Sequence, residues 1–211
     1  MTMTIDRNYG VFSHGTMSAH RHPNGGGLVA DDGGALSRKF GASWPCPYVA
    51  ESVYVGPDAI VCGGAAIWGD VRIEGNAVVC DWAQVCGRVR IFGNAFLYAE
   101  AEVYGDAEIF DDAQIMGCAQ VYGRAQIYGN AQVYGHAKIY GNAKVYDHAV
   151  VSDGPEGPEV YGDAEVYGKA VVGERARVFE EARVHGNGQV WGDQLVYGST
   201  EIIEPRPNWR R

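Results

Sequence analysis

Histidine residues are the side chains of this 211-residue sequence with the clearest capacity to bind a metal or to move a proton. His136 and His148 are 12 residues apart, and His185 lies well beyond them. Zinc requires ligands that converge at about 2.1 Å, and no third histidine accompanies this pair. The alternating histidines His20 and His22 lie in a segment without a repeating pattern, and we interpret them as incidental. The sequence therefore predicts no metal site.

Motifs for covalent or nucleotide chemistry are absent. The chain has no Gly-x-Ser-x-Gly nucleophile turn, no P-loop and no dinucleotide fingerprint. Its glycines are either periodic or clustered near the N-terminus, and a phosphate-binding loop would need a helix after it. These absences leave open whether the protein is an enzyme.

Aromatic residues form two rows in which the members are 18 residues apart. Flat rings can bind sugars or nucleobases by stacking, which makes these rows candidate ligand-binding surfaces. The alternative is that the rings pair across neighbouring strands and stabilise a sheet. The first row contains Tyr104, Tyr122 and Tyr140, and the second contains Phe92, Phe110, Tyr128 and Tyr146.

A six-residue repeat positions these side chains. The central stretch reads Val-Tyr-Gly-Arg-Ala-Gln and Ile-Tyr-Gly-Asn-Ala-Gln over residues 121–132. A glycine in every hexad would cost a helix about 1 kcal/mol each, and a six-residue spacing does not follow the 3.6-residue helical period. A short strand followed by a turn fits, with the branched aliphatic residue pointing inward. Three hexads then close one coil, and coils stack about 4.8 Å apart. The repeat predicts an all-β, single-stranded parallel β-helix of eight to nine coils.

Three segments divide the chain. Residues 1–48 have no repeat and are predicted to form an irregular cap over the first coil, because exposed strand edges are usually covered. Residues 49–203 form the β-helix, interrupted within residues 152–159 by a three-residue insertion rich in proline and glycine. Residues 204–211 form a tail whose prolines block the other end.

One outward face of the predicted β-helix carries no charged residue. A long charge-free apolar face indicates an interface, and we refer to its apolar members as the apolar strip. An alternative is that the N-terminal segment folds back over this strip. Cys62 and Cys80 are neighbours within it, and we expect two buried thiols, although a disulfide is geometrically conceivable. The strip consists of Ile60, Cys62, Val78, Cys80, Phe96, Tyr98, Met116, Tyr134, Val150 and Trp191.

These repeats resemble the left-handed β-helix of the hexapeptide-repeat superfamily, and the closest likeness is to its YdcK-like group. That group has Val-Tyr-Gly-Asn-Ala repeats and an N-terminal Gly-Gly-x-Val stretch, matched here by residues 26–29. The resemblance extends from Gly26 to Ile202 and implies a left-handed sense. It also implies a parallel homotrimer packed through the apolar strip and an origin in bacteria or prophages.

The resemblance further implies an acyl-CoA-dependent acyltransferase, in which a histidine near a subunit boundary acts as general base. The candidates are His136, His148 and His185. The alternative for His136 and His148 is that they replace asparagine at a corner, where a left-handed backbone is tolerated. Known acyltransferases of this kind extrude a long loop near the acceptor, and an insertion of three residues argues against that chemistry. A zinc site like that of γ-class carbonic anhydrases does not fit the histidine spacing.

Composition limits the partners. The net charge of −9 argues against a protein that binds nucleic acid phosphates. No run of about 18 apolar residues predicts a membrane span, and no secretory signal is recognised at the start. The five cysteines are then read as reduced thiols in the cytoplasm.

Three functions follow from these observations. The first is a non-catalytic trimeric rod, structural or binding, of phage or prophage origin, with itself, another protein or a small molecule as partner and no cofactor. The second is the acyltransferase, with acyl-CoA as cosubstrate. The third is a protein that binds or sequesters a small ligand, a nucleotide or a sugar, in clefts between subunits.

Overall fold

The computed structural model describes residues 2–4, 16–30, 46–152 and 156–204. These residues form short β-strands joined by turns, and no helix occurs among them. None of the described segments is therefore a helix that could cross a membrane. The strands build three sheets that stack as a parallel β-solenoid of about eight turns. The predicted all-β fold with three strands per turn is confirmed.

Strands are numbered along the chain, and every third strand of the solenoid joins the same sheet. The first sheet has 11 strands, and from β3 onward all its neighbours are parallel. It consists of β1 (Thr2–Thr4), β2 (Thr16–Arg21), β3 (Leu28–Ala30), β6 (Ile60–Val61), β9 (Val78–Val79), β12 (Phe96–Leu97), β15 (Gln114–Ile115), β18 (Gln132–Val133), β21 (Val150–Ser152), β24 (Val171–Gly173) and β27 (Gln189–Val190).

The second and third sheets have nine parallel strands each. The second consists of β4 (Tyr48–Val49), β7 (Ala66–Gly69), β10 (Gln84–Gly87), β13 (Glu102–Val103), β16 (Gln120–Val121), β19 (Lys138–Ile139), β22 (Glu159–Val160), β25 (Arg177–Val178) and β28 (Leu195–Val196). The third consists of β5 (Tyr54–Val55), β8 (Arg72–Ile73), β11 (Arg90–Ile91), β14 (Glu108–Ile109), β17 (Gln126–Ile127), β20 (Lys144–Val145), β23 (Glu165–Val166), β26 (Arg183–Val184) and β29 (Glu201–Ile202).

The core is a column of aliphatic side chains inside the solenoid. Val103 pairs with Val121, 18 residues later, so identical positions of successive turns lie directly above one another. Residues such as Ile127 and Ala125 have no exposed surface, and the alanine occupies the narrow space beside each corner. Burial of each Val or Ile contributes about 1.5–3 kcal/mol, and this column offsets the loss of chain entropy.

Corner geometry differs from the expectation for two histidines. The backbone φ is positive at the residue that precedes each histidine. This residue is Gly135 (φ 69°) before His136 and Asp147 (φ 58°) before His148. The two histidines themselves do not have the left-handed backbone, so that part of the prediction was wrong. The chain reverses one residue earlier, at the position where glycine usually removes the clash of a Cβ.

The described part of the N-terminal segment contains three strands. β1 pairs antiparallel with β2, β2 pairs antiparallel with β3, and β3 pairs parallel with β6. The described part of the cap therefore extends the first sheet beyond the first turn, where it covers a strand edge that would otherwise lie open.

One turn of the solenoid is three residues longer than the others that it stacks with. Lys138 of β19 pairs with Glu159 of β22, a step of 21 residues in place of 18, and the stacking register then resumes. Gly157 lies against the carbonyl oxygen of His136, and the backbone N–H of Lys138 donates to the Pro158 oxygen at 2.9 Å. Residues 153–155 of the insertion and residues 205–211 of the tail lie outside the described residues.

Candidate functional site

The aromatic rows form continuous stacks. Tyr104 and Tyr122 have ring centroids 4.8 Å apart at an interplanar angle of 3°, and Tyr128 and Tyr146 stack at 4.8 Å and 1°. Ring faces therefore contact one another, which leaves ring edges and hydroxyl groups toward solvent. This geometry favours the sheet-stabilising role, because stacking on a sugar or a base needs a free ring face. The stacks continue beyond the predicted rows through Tyr161, Phe179 and Tyr197 on the second sheet and through Tyr167 and His185 on the third.

Burial and neighbouring carboxylates raise the pKa of two tyrosines in these stacks, whose tyrosines we call the ladder tyrosines. Burial first, and then the negative charge of Glu159, raises the pKa of Tyr140 to about 12. Burial and the charge of Glu165 raise the pKa of Tyr146 in the same direction. Both phenols consequently stay protonated over the whole physiological pH range.

The three candidate general bases are not brought together. His185 belongs to a ring stack on the third sheet, where it lies 4.8 Å from Tyr167, and its Nε2 lies 4.0 Å from Glu201. His148 lies at a corner between the third and first sheets, whereas His136 lies at a corner between the first and second. Each of them would have to act without the other two.

His136 is the candidate that lies in a concave surface. A groove of about 960 Å³ runs along the rod beside the corner between the first and second sheets. Its floor consists of outward residues of the second sheet, and its rim consists of the corner residues of successive turns. The lining is Gly64, Ala66, Trp82, Gln84, Glu100, Glu102, Cys118, Gln120, His136, Lys138, Glu156, Glu159 and Arg177.

Two departures from the repeat line this groove. Trp82 replaces a small or polar corner residue and is 49% exposed, and Glu156 belongs to the inserted segment. Between them the rim residues are Glu100, Cys118 and His136. Sequence reasoning missed the groove, although a tryptophan at a corner and a proline-glycine insertion were both visible signals of it.

Polar contacts inside the groove connect successive turns. Gln120 donates to Glu102 at 3.0 Å, and the Cys118 thiol donates to Glu100 at 3.6 Å. Arg177 forms an ion pair with Glu159 at 3.5 Å. Burial and the neighbouring Glu100 raise the pKa of the Cys118 thiol, so this cysteine is a poor nucleophile.

The apolar strip is divided into a buried and an accessible part. Four of its members, Cys62, Val78, Cys80 and Phe96, have at most 4% of their surface exposed. They form a cluster with Ala19 of β2 and Ala30 of β3, so the N-terminal segment helps to bury the first turns of the strip. The accessible part is Ile60, Tyr98, Met116, Tyr134 and Val150, which are half-buried, and Trp191, which is 38% exposed.

None of the five cysteines forms a disulfide, and this includes the neighbours Cys62 and Cys80, which were expected to be reduced. Burial, and after it the contact with Cys62, raises the pKa of the Cys80 thiol. No group of three or more His, Cys, Asp or Glu side chains among the described residues could hold a metal ion. His22 is buried and its ring Nδ1 contacts the backbone of Asn24, whereas His20 is exposed.

No protein-family model matches the chain, and neither a curated protein nor a solved structure is significantly similar to it.

Proposed function

We propose that the protein is a non-catalytic rod of the hexapeptide-repeat type that associates through the accessible part of the apolar strip as a parallel homotrimer and serves as a structural or binding module. The observation that supports this proposal is the absence of charge on the outward face of the first sheet from Ile60 to Trp191. By contrast, four of the nine strands of the second sheet and seven of the nine strands of the third carry an outward Arg, Lys or Glu.

The two charged sheets are suited to solvent. From Arg90 onward the charged side chains of the third sheet alternate in sign along the rod, as in the ion pairs Arg90–Glu108 at 3.4 Å and Lys144–Glu165 at 3.3 Å. Such exposed pairs contribute little energy but avoid like charges on neighbouring strands. A face without charged side chains gains less from hydration, and burial between chains removes its apolar surface from solvent.

A matched pair of substitutions tests the trimer. Gln132 on the first sheet and Gln126 on the third occupy the same position of adjacent hexads, and both are half-buried. Gln132→Lys places an unpaired charge in the proposed interface, which costs several kcal/mol when buried. Gln126→Lys leaves the charge in solvent. We expect the wild-type protein and Gln126→Lys to sediment as trimers and Gln132→Lys to sediment as a monomer.

Two results would contradict this proposal: a monomeric wild-type protein at micromolar concentration, or a Gln132→Lys variant that remains trimeric. Either result would mean that this face binds a partner other than a second copy of the chain.

The absence of disulfides among the five cysteines supports the reducing cytoplasm as the compartment of the rod. The prophage origin and the YdcK-like affiliation stay part of this proposal.

An acyl-CoA-dependent acyltransferase is the second candidate, and the groove beside His136 is the observation that favours it. His136 would be the general base that accepts a proton from the acceptor of the acyl group. Turnover of acyl-CoA that disappears in His136→Ala but persists in His148→Ala would establish this candidate. The His148 variant is the control, because His148 does not line the groove.

A further inference from the structure

The groove beside the second sheet is long and narrow because it follows the stacking of the turns. Its rim runs through Trp82, Glu100, Cys118 and His136 in four successive turns and then reaches Glu156. Four steps of about 4.8 Å give a length of about 19 Å. A ligand that fills this space is therefore extended along the rod axis.

One end of the groove presents an aromatic surface. Trp82 is 49% exposed, and none of the ring stacks of the described residues includes it. Unlike the ladder tyrosines, its indole therefore has ring surface that is not covered by another ring. An accessible indole binds the cationic groups of ligands more strongly than any other aromatic side chain.

Carboxylates accompany the indole along the same groove. Four glutamates, two cationic side chains and one histidine line it. Arg177 is engaged by Glu159. Glu100 and Glu102, next to Trp82, accept only from a thiol and an amide, and neither forms an ion pair with any residue in the described ranges. The end nearest the indole is thus anionic and uncompensated.

The other end of the groove is closer to neutral. Lys138 and Arg177 lie there with Glu156 and Glu159, and Lys138 has no ion-pair partner among the described residues. Over its whole length the groove carries four carboxylates against two cationic side chains, and this negative balance disfavours a polyanion.

We infer that the groove from Trp82 to Glu156 binds an extended cationic ligand, a linear molecule with several ammonium groups. Its first ammonium lies over the indole of Trp82 and against Glu100 and Glu102, and its chain follows the second sheet toward Glu156. The site is contained in one chain, so it does not depend on the trimer or on any catalytic role of His136.

Spermine serves as the probe, and isothermal titration calorimetry in 150 mM NaCl measures its binding. We expect saturable binding with one spermine per chain. Trp82→Ala should weaken the affinity about three- to tenfold through loss of the cation–π contact. Glu102→Gln should weaken it by a similar factor, because one charge-assisted contact becomes neutral.

The chain offers a matched control for each variant. Glu108 on the third sheet corresponds to Glu102: it lies one hexad later, is half-buried and accepts a hydrogen bond from Gln126 at 3.0 Å. Glu108→Gln should leave the affinity within twofold of the wild-type value. Trp68, on the same sheet as the groove and 40% exposed, does not line the groove, so Trp68→Ala should also have no effect.

Three results would overturn the inference. They are the absence of saturable spermine binding up to millimolar concentration, equal losses in Glu102→Gln and Glu108→Gln, and tighter binding of the dianion sebacate than of spermine. Sedimentation of the same variants distinguishes this inference from the trimer proposal, because groove substitutions leave the apolar strip intact. Circular dichroism of each variant confirms that the sheet has formed.

Discussion

Replacing Gly123 by alanine tests whether the corners of the solenoid require glycine for two separate reasons. The first is conformational: Gly123 has φ of 73°, a left-handed backbone that costs an alanine about 1–2 kcal/mol. The second is steric, because a Cβ there would lie 2.9 Å from the backbone nitrogen and 3.0 Å from the oxygen of Gly141 in the next turn. Backbone atoms cannot rotate away, so the turns must separate at a cost of about 1–3 kcal/mol.

The expected loss for Gly123→Ala is therefore about 2–5 kcal/mol, or on the order of 10 °C in the thermal midpoint for a chain of this size. Gly192 provides the control. Its φ of 66° is similar, but in the last turn a new Cβ would meet only the Glu174 carboxylate at 3.6 Å. Gly192→Ala should lose only the conformational part, about 1–2 kcal/mol. Equal losses for both variants, measured by guanidinium unfolding, would refute the steric part of the reasoning.

A third variant tests how the corners that lack glycine tolerate a positive φ. Asp111 occupies a corner-glycine position with φ of 57°, and the backbone N–H of Gly129 donates to its carboxylate at 3.2 Å. One such hydrogen bond contributes about 1 kcal/mol. Gly123→Asp should consequently be about 1 kcal/mol more stable than Gly123→Ala. If the aspartate variant were no better than the alanine variant, the carboxylate contacts would be incidental to the corners.

Two further predictions concern the titrating groups. Tyr140 keeps its proton more tightly in the folded state, so the stability that it contributes is complete below pH 10, the ordinary tyrosine value, and falls as the pH rises toward 12. The unfolding midpoint should therefore decline between these values, and Tyr140→Phe should decline less; identical pH profiles would contradict the assignment. Among the cysteines, exposed Cys46 should react with Ellman's reagent in the native protein, whereas buried Cys62 and Cys80 should react only after unfolding. Native-state labelling of Cys80, detected by peptide mass, would argue against its burial.

Most of the solenoid was predictable because its hexads carry the same residue types at the same positions. An inward aliphatic residue such as Val121, the glycine two residues later and an inward Ala125 each have one role, and the roles recur. Strand spacing and the three-sheet arrangement follow from that recurrence. The insertion was also predictable, since prolines and glycines broke the period by three residues.

The hairpin of the cap was not predictable in the same way. β2 and β3 contain no hexad, and their pairing depends on the open edge of β6, a tertiary feature that a period search does not detect. The left-handed backbone expected at His136 and His148 was wrong for a related reason. Histidine and aspartate both tolerate a left-handed backbone, but Asp147 holds the position that glycine occupies at most other corners, and it adopts this backbone where His148 does not.

The groove is a distinct site because the hexad repeat is altered at two positions along it. In a solenoid every turn presents the same groups at the same spacing, so a perfectly regular face offers a ligand many equivalent positions and no defined site. The ladder tyrosines illustrate this, because each ring face is already covered by the next ring. Trp82 and the inserted segment with Glu156 are what distinguish one stretch of the second sheet from the rest. Restoring a polar corner residue at position 82 and deleting three residues of the insertion should therefore remove the site and keep the rod.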